Sequence, residues 1–148
     1  MIMIISKKKY NELLNLAFFD QATGFRNRNW FEKHFIQNIP QGKINLAIVD
    51  INNLKTINNN HGHHIGDKHI KQIGTLLSKY SLVVRWGSDE FFCIISDENK
   101  ENFINLCKTQ TDFAFAYRFG FDGKDIKETL VQIDQEMYDC KNKQKATK

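Results

Sequence analysis

An α/β (α+β) domain, with a central, mainly antiparallel sheet flanked by helices, is the fold class this sequence predicts. Three observations carry it. Segments with apolar residues at helical spacing alternate with short β-branched runs. Two such runs, Leu82–Arg85 and Glu90–Ile95, are joined only by Trp86-Gly87-Ser88-Asp89, a connection short enough to make them a hairpin. Residues 44–49 are nearly continuous in apolar side chains, as a strand covered on both faces should be.

The elements follow in order. Ser6 is placed to cap a first helix that runs to Phe19, with Tyr10, Leu13, Leu14 and Ala17 at helical spacing. The turn formers of residues 20–24 end it. A second helix is expected over residues 27–38, burying Trp30, Phe31, His34 and Phe35 on one side and closed by Pro40 and Gly42. Phe18 and Phe19 read as core beside them. The strand of residues 44–49 ends on Asp50. A polar, Asn-rich stretch over residues 51–60 follows, in which Leu54 and Ile57 are the apolar anchors after Ile51. A long helix over residues 64–79 turns Ile65, Ile70, Ile73 and Leu77 inward. Beyond the hairpin come a helix over residues 99–108, a strand over 113–117 and a last helix over 125–143, frayed after Lys141.

Composition excludes several classes. The chain has 148 residues, 41% hydrophobic and 26% charged, which is globular rather than disordered or fibrous. No apolar run approaches the roughly 20 residues of a membrane span. The apolar start at residues 1–5 has neither a basic segment before it nor a small-residue cleavage site after it, unlike a signal peptide. Cys93, Cys107 and Cys140 are odd in number and widely spaced, so reduced thiols and a cytoplasmic location are expected. The net charge of +4 suits an anionic ligand but is too mild for a protein that coats nucleic acid. His61, His63 and His64 cluster, but with no cysteine nearby they do not make a zinc site.

Two acids stand out. Asp50 ends a buried strand, and Asp89 sits at the tip of a hairpin that can pair beside it. Adjoining strands would bring both carboxylates to one ion. Oxygen donors on an open site suit Mg²⁺, which takes its other ligands from water and substrate phosphates and helps a hydroxyl attack phosphorus. The plainer alternative is that both acids are turn residues.

Four strings bear on that choice. Residues 85–91, RWGSDEF, closely resemble the R-x-G-G-D-E-F signature of GGDEF domains, the diguanylate cyclase family. Residues 20–28, DQATGFRNR, resemble the family's opening motif D-x-L-T-G-L-x-N-R. Residues 50–67, DINNLKTINNNHGHHIGD, resemble D-I-D-x-F-K-x-I-N-D-x-x-G-H-x-x-G-D, and residues 133–141, IDQEMYDCK, resemble A-D-x-A-M-Y-x-A-K. The four occur in the family's order and span nearly the whole chain.

The resemblance implies a palm-like nucleotidyl cyclase fold that condenses two GTP molecules into cyclic di-GMP with release of pyrophosphate. Catalysis would need a homodimer, each protomer holding one GTP. By the same resemblance Asp50 and Asp89, with the carbonyl of Ile51, bind Mg²⁺ (or Mn²⁺), and Glu90 assists. Asn58 and Asp67 read guanine. Lys55, Lys141 and Lys145, with backbone N–H groups around Asn53 and Leu54, hold the triphosphate. Arg85, Gly87 and Ser88 belong to the signature hairpin. Residues 1–19 are then a helix able to pair protomers, and residues 20–148 the GGDEF domain. No sensor domain is legible, so a regulatory protein acting in trans is a further expected partner; nucleic acid and membrane are not.

Four departures from the pattern bear on activity. Ser88 replaces the second signature glycine, adding a Cβ and tolerating positive φ poorly. Asn52 replaces the second Asp of D-I-D, removing a negative charge near the metals. Ser78 and Ser81 stand where the R-x-x-D product-inhibition site is expected. Ala116-Tyr117-Arg118 replaces an S-I-G stretch, with a short loop after it. Lys145 also stands for an Arg and so lacks two-pronged hydrogen bonding. A silent GTP-binding module, and a related cyclic-nucleotide synthase with another base choice, are the alternative readings.

Overall fold

A computed structural model describes residues 4–39, 43–121 and 126–146, and the side chains of these except at 121 and 144–146. The order is α1 (Lys7–Phe18), β1 (Arg26–Asn27), α2 (Arg28–Trp30), continued by a π-helical turn and a 3₁₀ turn to Asn38, then β2 (Ile44–Ile51), α3 (Leu54–His61) and α4 (His63–Leu77). There follow β3 (Leu82–Arg85), β4 (Glu90–Ile95), α5 (Lys100–Lys108), β5 (Phe113–Phe121) and α6 (Ile126–Ala146). The sheet order is β1-β3-β4-β2-β5, antiparallel throughout except for the short β1–β3 pair.

All eight residues of β2 are buried, because helices cover both faces of the sheet. On one face Val49, Ile51, Val83, Phe91 and Cys93 pack against Ile70, Ile73 and Leu77 of α4 and Phe103 and Cys107 of α5. On the other, Leu46, Ile48, Val84 and Phe92 meet Phe31 and Phe35 of the second helical segment and Ile133 and Met137 of α6. The three cysteines are free thiols, and burial pushes Cys93 up to about 12. No helix among the described residues is long and apolar enough to cross a membrane.

Several expectations need correction. Ser6 does cap α1, accepting from the Lys9 N–H at 3.1 Å, but no residue of α1 is buried. His34 is exposed and lies against the rings of Phe18 and Trp30, because Phe31 and Phe35 take the inward positions. Ile65 is 41% exposed, since the inward line of α4 runs through Gly66, Ile70, Ile73, Gly74 and Leu77. The Asn-rich stretch holds helix α3, and α6 stays helical past Lys141 to Ala146. Strand β1 was not foreseen, and β5 runs four residues further than expected, to Phe121.

Candidate active site

The β2–β4 ladder brings the end of β2 against the hairpin residues Asp89 and Glu90. Asp50 pairs in register with Glu90, and the Ile51 N–H donates to the Asp89 carbonyl at 2.8 Å. Asp50 is 5% exposed and the one charged side chain in the core among the described residues. A carboxylate so buried is costly unless a cation meets it. Lys141, arriving on α6, makes an ion pair with it. The lysine expected on a triphosphate thus rests on an expected metal ligand.

Negative charge concentrates here. Burial first, then repulsion from Asp50, Asp89 and Asp134, holds the Glu90 carboxyl above its usual range, against the pull of Lys141. Asp134 is also raised by burial, with the Arg28 guanidinium opposing. Gly87 gives Glu90 room, since a Cβ there would stand 3.0 Å from Glu90 Oε2. A divalent cation would relieve this repulsion, so the donor set fits Mg²⁺. Among the described residues no three His, Cys, Asp or Glu side chains surround a common ion position. A metal would therefore draw on the two aspartates, a backbone carbonyl and ligands from water and phosphate.

Beside the acids opens a cleft of about 670 Å³, lined by Leu54, Lys55, Asn58, Asp67, Arg85, Ser88 and Asp89 among others. Asn53 enters α3 in the left-handed region at φ 58°, ψ 19°, the only non-glycine residue with positive φ among those described. Asparagine tolerates that conformation, and no side chain caps the first N–H groups of α3, which at a helix start suit an anion. Asn58 Oδ1 is buried with no hydrogen-bond partner, while Asp67 is exposed on α4. Arg85 donates to the Ser88 carbonyl and lies 5.4 Å from the Phe91 ring centre. Burial lowers its pKa, against Asp20, Asp89 and Asp67.

The departures acquire physical content. Ser88 is not among the residues with positive φ, so the expected backbone strain is absent, and its hydroxyl donates to Asp89 Oδ1 at 3.2 Å. Asn52 points away from the hairpin: its Nδ2 donates to the Thr111 carbonyl at 3.0 Å, and its N–H to the Asp112 carbonyl at 2.7 Å. Ser78 and Ser81 bond back to the Thr75 and Leu77 carbonyls at 2.8 and 2.9 Å. Arg118 forms a two-pronged ion pair with Glu136 of α6. The Lys145 side chain lies outside the described residues. Asp134 acts on Glu90 by charge, a neighbour the sequence signals only through its spacing of two helical turns from Lys141.

A mainly antiparallel sheet with helices on both faces, paired acids at a strand end and a cleft beside a helix start define a nucleotide-cyclase-like domain. The family model described as diguanylate cyclase, GGDEF domain, matches residues 17–114, and this chain belongs to that family. It is similar to diguanylate cyclase DgcS of Shewanella oneidensis, 24% identical over 93% of this chain and 54% of that protein. It is also similar to DgcZ of Escherichia coli, a diguanylate cyclase, 27% identical over 68% of this chain and 38% of that one. The chain spans about half the length of DgcS, or less in the case of DgcZ. Among solved structures, the coiled coil and GGDEF domain of DgcB from Caulobacter crescentus, in complex with c-di-GMP, superposes with TM-score 0.71 at 17% identity over 92% of this chain and 86% of that one. SiaD from Pseudomonas aeruginosa, in complex with its activator SiaC, gives 0.70 at 18% identity over 93% and 63%.

Proposed function

We propose that this chain is a diguanylate cyclase that joins two GTP molecules into cyclic di-GMP across a homodimer. The observation that supports the reading is the register that sets Asp50 against the Asp89–Glu90 end of the hairpin, with Asp89 lining the same cleft as Asn58 and Asp67. Phosphoryl transfer asks a protein chiefly for positioning and charge neutralisation, which is what this residue set would supply. Mg²⁺ or Mn²⁺, held by Asp50, Asp89 and the Ile51 carbonyl, would neutralise charge at the α-phosphate. Lys55 and Lys145, the N–H groups at Asn53 and Leu54, and Lys141 once it leaves Asp50, hold the triphosphate.

Asp67 accepts from the guanine N1–H and N2 amino donors, which adenine lacks, and the Asn58 carboxamide meets a neighbouring edge group. The 3′-hydroxyl of one nucleotide attacks the α-phosphate of the other, and pyrophosphate leaves. Glu90, whose carboxyl is raised by burial and by the neighbouring acids, would take up the proton. Arg85, Gly87 and Ser88 shape the hairpin under Asp89. Because Ser78 and Ser81 bond to their own helix end, feedback by cyclic di-GMP at that position is not expected. An activating protein in trans is a reading supported by the SiaD likeness, whose activator is SiaC.

Purified protein incubated with each nucleoside triphosphate and Mg²⁺, with products identified by mass, tests this. Cyclic di-GMP from GTP is the expected product, lost in Asp89→Asn at unchanged thermal stability. GTP binding without product would favour a silent module, and another cyclic product a different base choice.

A further inference from the structure

We propose that Gly66 is a specificity-positioning residue: its missing side chain is the slot that holds the Asn58 carboxamide against α4, next to Asp67, and so sets the base preference of the cleft. The inference rests on the guanine reading of Asn58 and Asp67.

Gly66 lies inside α4, where glycine weakens a helix relative to alanine. Its backbone does not ask for glycine, since the positive-φ glycines among the described residues are Gly24, Gly62 and Gly120. The demand comes from a side chain. A Cβ at Gly66 would stand 1.8 Å from Asn58 Oδ1, 2.9 Å from Cγ and 3.5 Å from Nδ2. The carboxamide therefore occupies the space a methyl group would take.

The backbone around the contact has little freedom. The Gly62 N–H donates to the Asn58 carbonyl at 2.8 Å, and the Gly62 carbonyl accepts from Ile65 at 3.1 Å and Gly66 at 3.3 Å. These bonds close the turn between α3 and α4, so a methyl at residue 66 can be met only by rotation of the Asn58 side chain. Rotation lifts the carboxamide off α4 into the cleft that Asn58 and Asp67 line. Gly74, on the same helix, contrasts with it: a Cβ there would meet the Phe25 ring at 2.3 Å, a constraint of core packing.

The two demands separate in a Gly66→Ala variant of the full chain. Its thermal midpoint should equal or exceed that of the parent, because the helix gains while a flexible side chain yields. Its affinity for GTP, measured by calorimetry, should fall about tenfold, the size of one lost hydrogen-bonding group, and its preference for GTP over ATP should shrink with it. Asn58→Ala should show the same loss, and the double variant should bind GTP no worse than Asn58→Ala alone. Should Gly66→Ala fail to fold, a folded double variant still identifies Asn58 as the constraint, whereas a double variant that also fails overturns the proposal. It is likewise overturned by a Gly66→Ala protein that keeps full GTP preference while Asn58→Ala loses it, or by losses that add in the double variant. If Asn58→Ala leaves GTP binding intact, the guanine reading falls first, and the role of Gly66 with it.

Discussion

Lys141 has two anions within its repertoire, the Asp50 carboxylate it meets in this structure and the triphosphate it is proposed to hold. Asp50 is buried, so taking Lys141 away removes one ammonium from a carboxylate in a nearly dry site. Lys141→Met should cost roughly 2–4 kcal/mol of stability in the absence of metal. Added Mn²⁺ should raise the thermal midpoint of the variant more than that of the parent, because the cation takes the vacated place. Equal shifts in both proteins would argue against Asp50 as a metal ligand. Asp67 carries a separate prediction. It is exposed on α4 beside Asn58, where a carboxylate can accept from the two guanine donors missing in adenine. Asp67→Ser should narrow the preference for GTP over ATP about tenfold or more, read from the ratio of kcat/KM values.

At the scale of elements, the departure at Asn52 ties β2 to the start of β5, since its amide donates to the Thr111 carbonyl. An aspartate, which the family pattern has there, cannot donate. Asn52→Asp should therefore lower stability by about 1 kcal/mol in chemical denaturation, with catalysis spared because the side chain faces away from the hairpin. Legibility varied by element for physical reasons. The hairpin and β2 were plain because β-branched runs and a short connection are contiguous signals. Helix α3 was not, as Leu54 is its only buried residue and its asparagines are poor helix formers. Strand β1 is two residues long and is defined by its pairing with β3, far away in sequence, beside a single bridge from Arg26 to Phe19. Ile65 misled because glycines share the inward line of α4, and a pattern of large apolar residues cannot show that. The adjacency of the strands that carry Asp50 and Glu90 was legible from the short connection between Arg85 and Glu90 and from the buried run before Asp50. The Lys141–Asp50 pair was not, because it joins α6 to a strand far away in sequence.

For the molecule as a whole, the cleft lined by Asn58 and Asp67 is proposed to hold one guanine, while the proposed reaction consumes two facing nucleotides. Helix α1 is proposed as the element that brings protomers together. It rests on the body at its C-terminal end, where Asn27 and Asn29 donate to the Ala17 carbonyl at 3.0 and 2.9 Å. Tyr10, Leu13 and Leu16 remain 52%, 45% and 60% exposed. Twelve residues make about 18 Å of helix, short for a two-stranded coiled coil, so the pairing should be weak. Weak pairing makes turnover per protomer rise with protein concentration, and level off only where dimers dominate. Leu13→Glu would place like charges across the seam and should push that rise to higher concentration, leaving GTP affinity per protomer unchanged. Sedimentation and initial rates measured over the same dilution series check both points. Turnover per protomer that stays flat through a thousandfold dilution, in a protein that sediments as a monomer, would reject the dimeric mechanism.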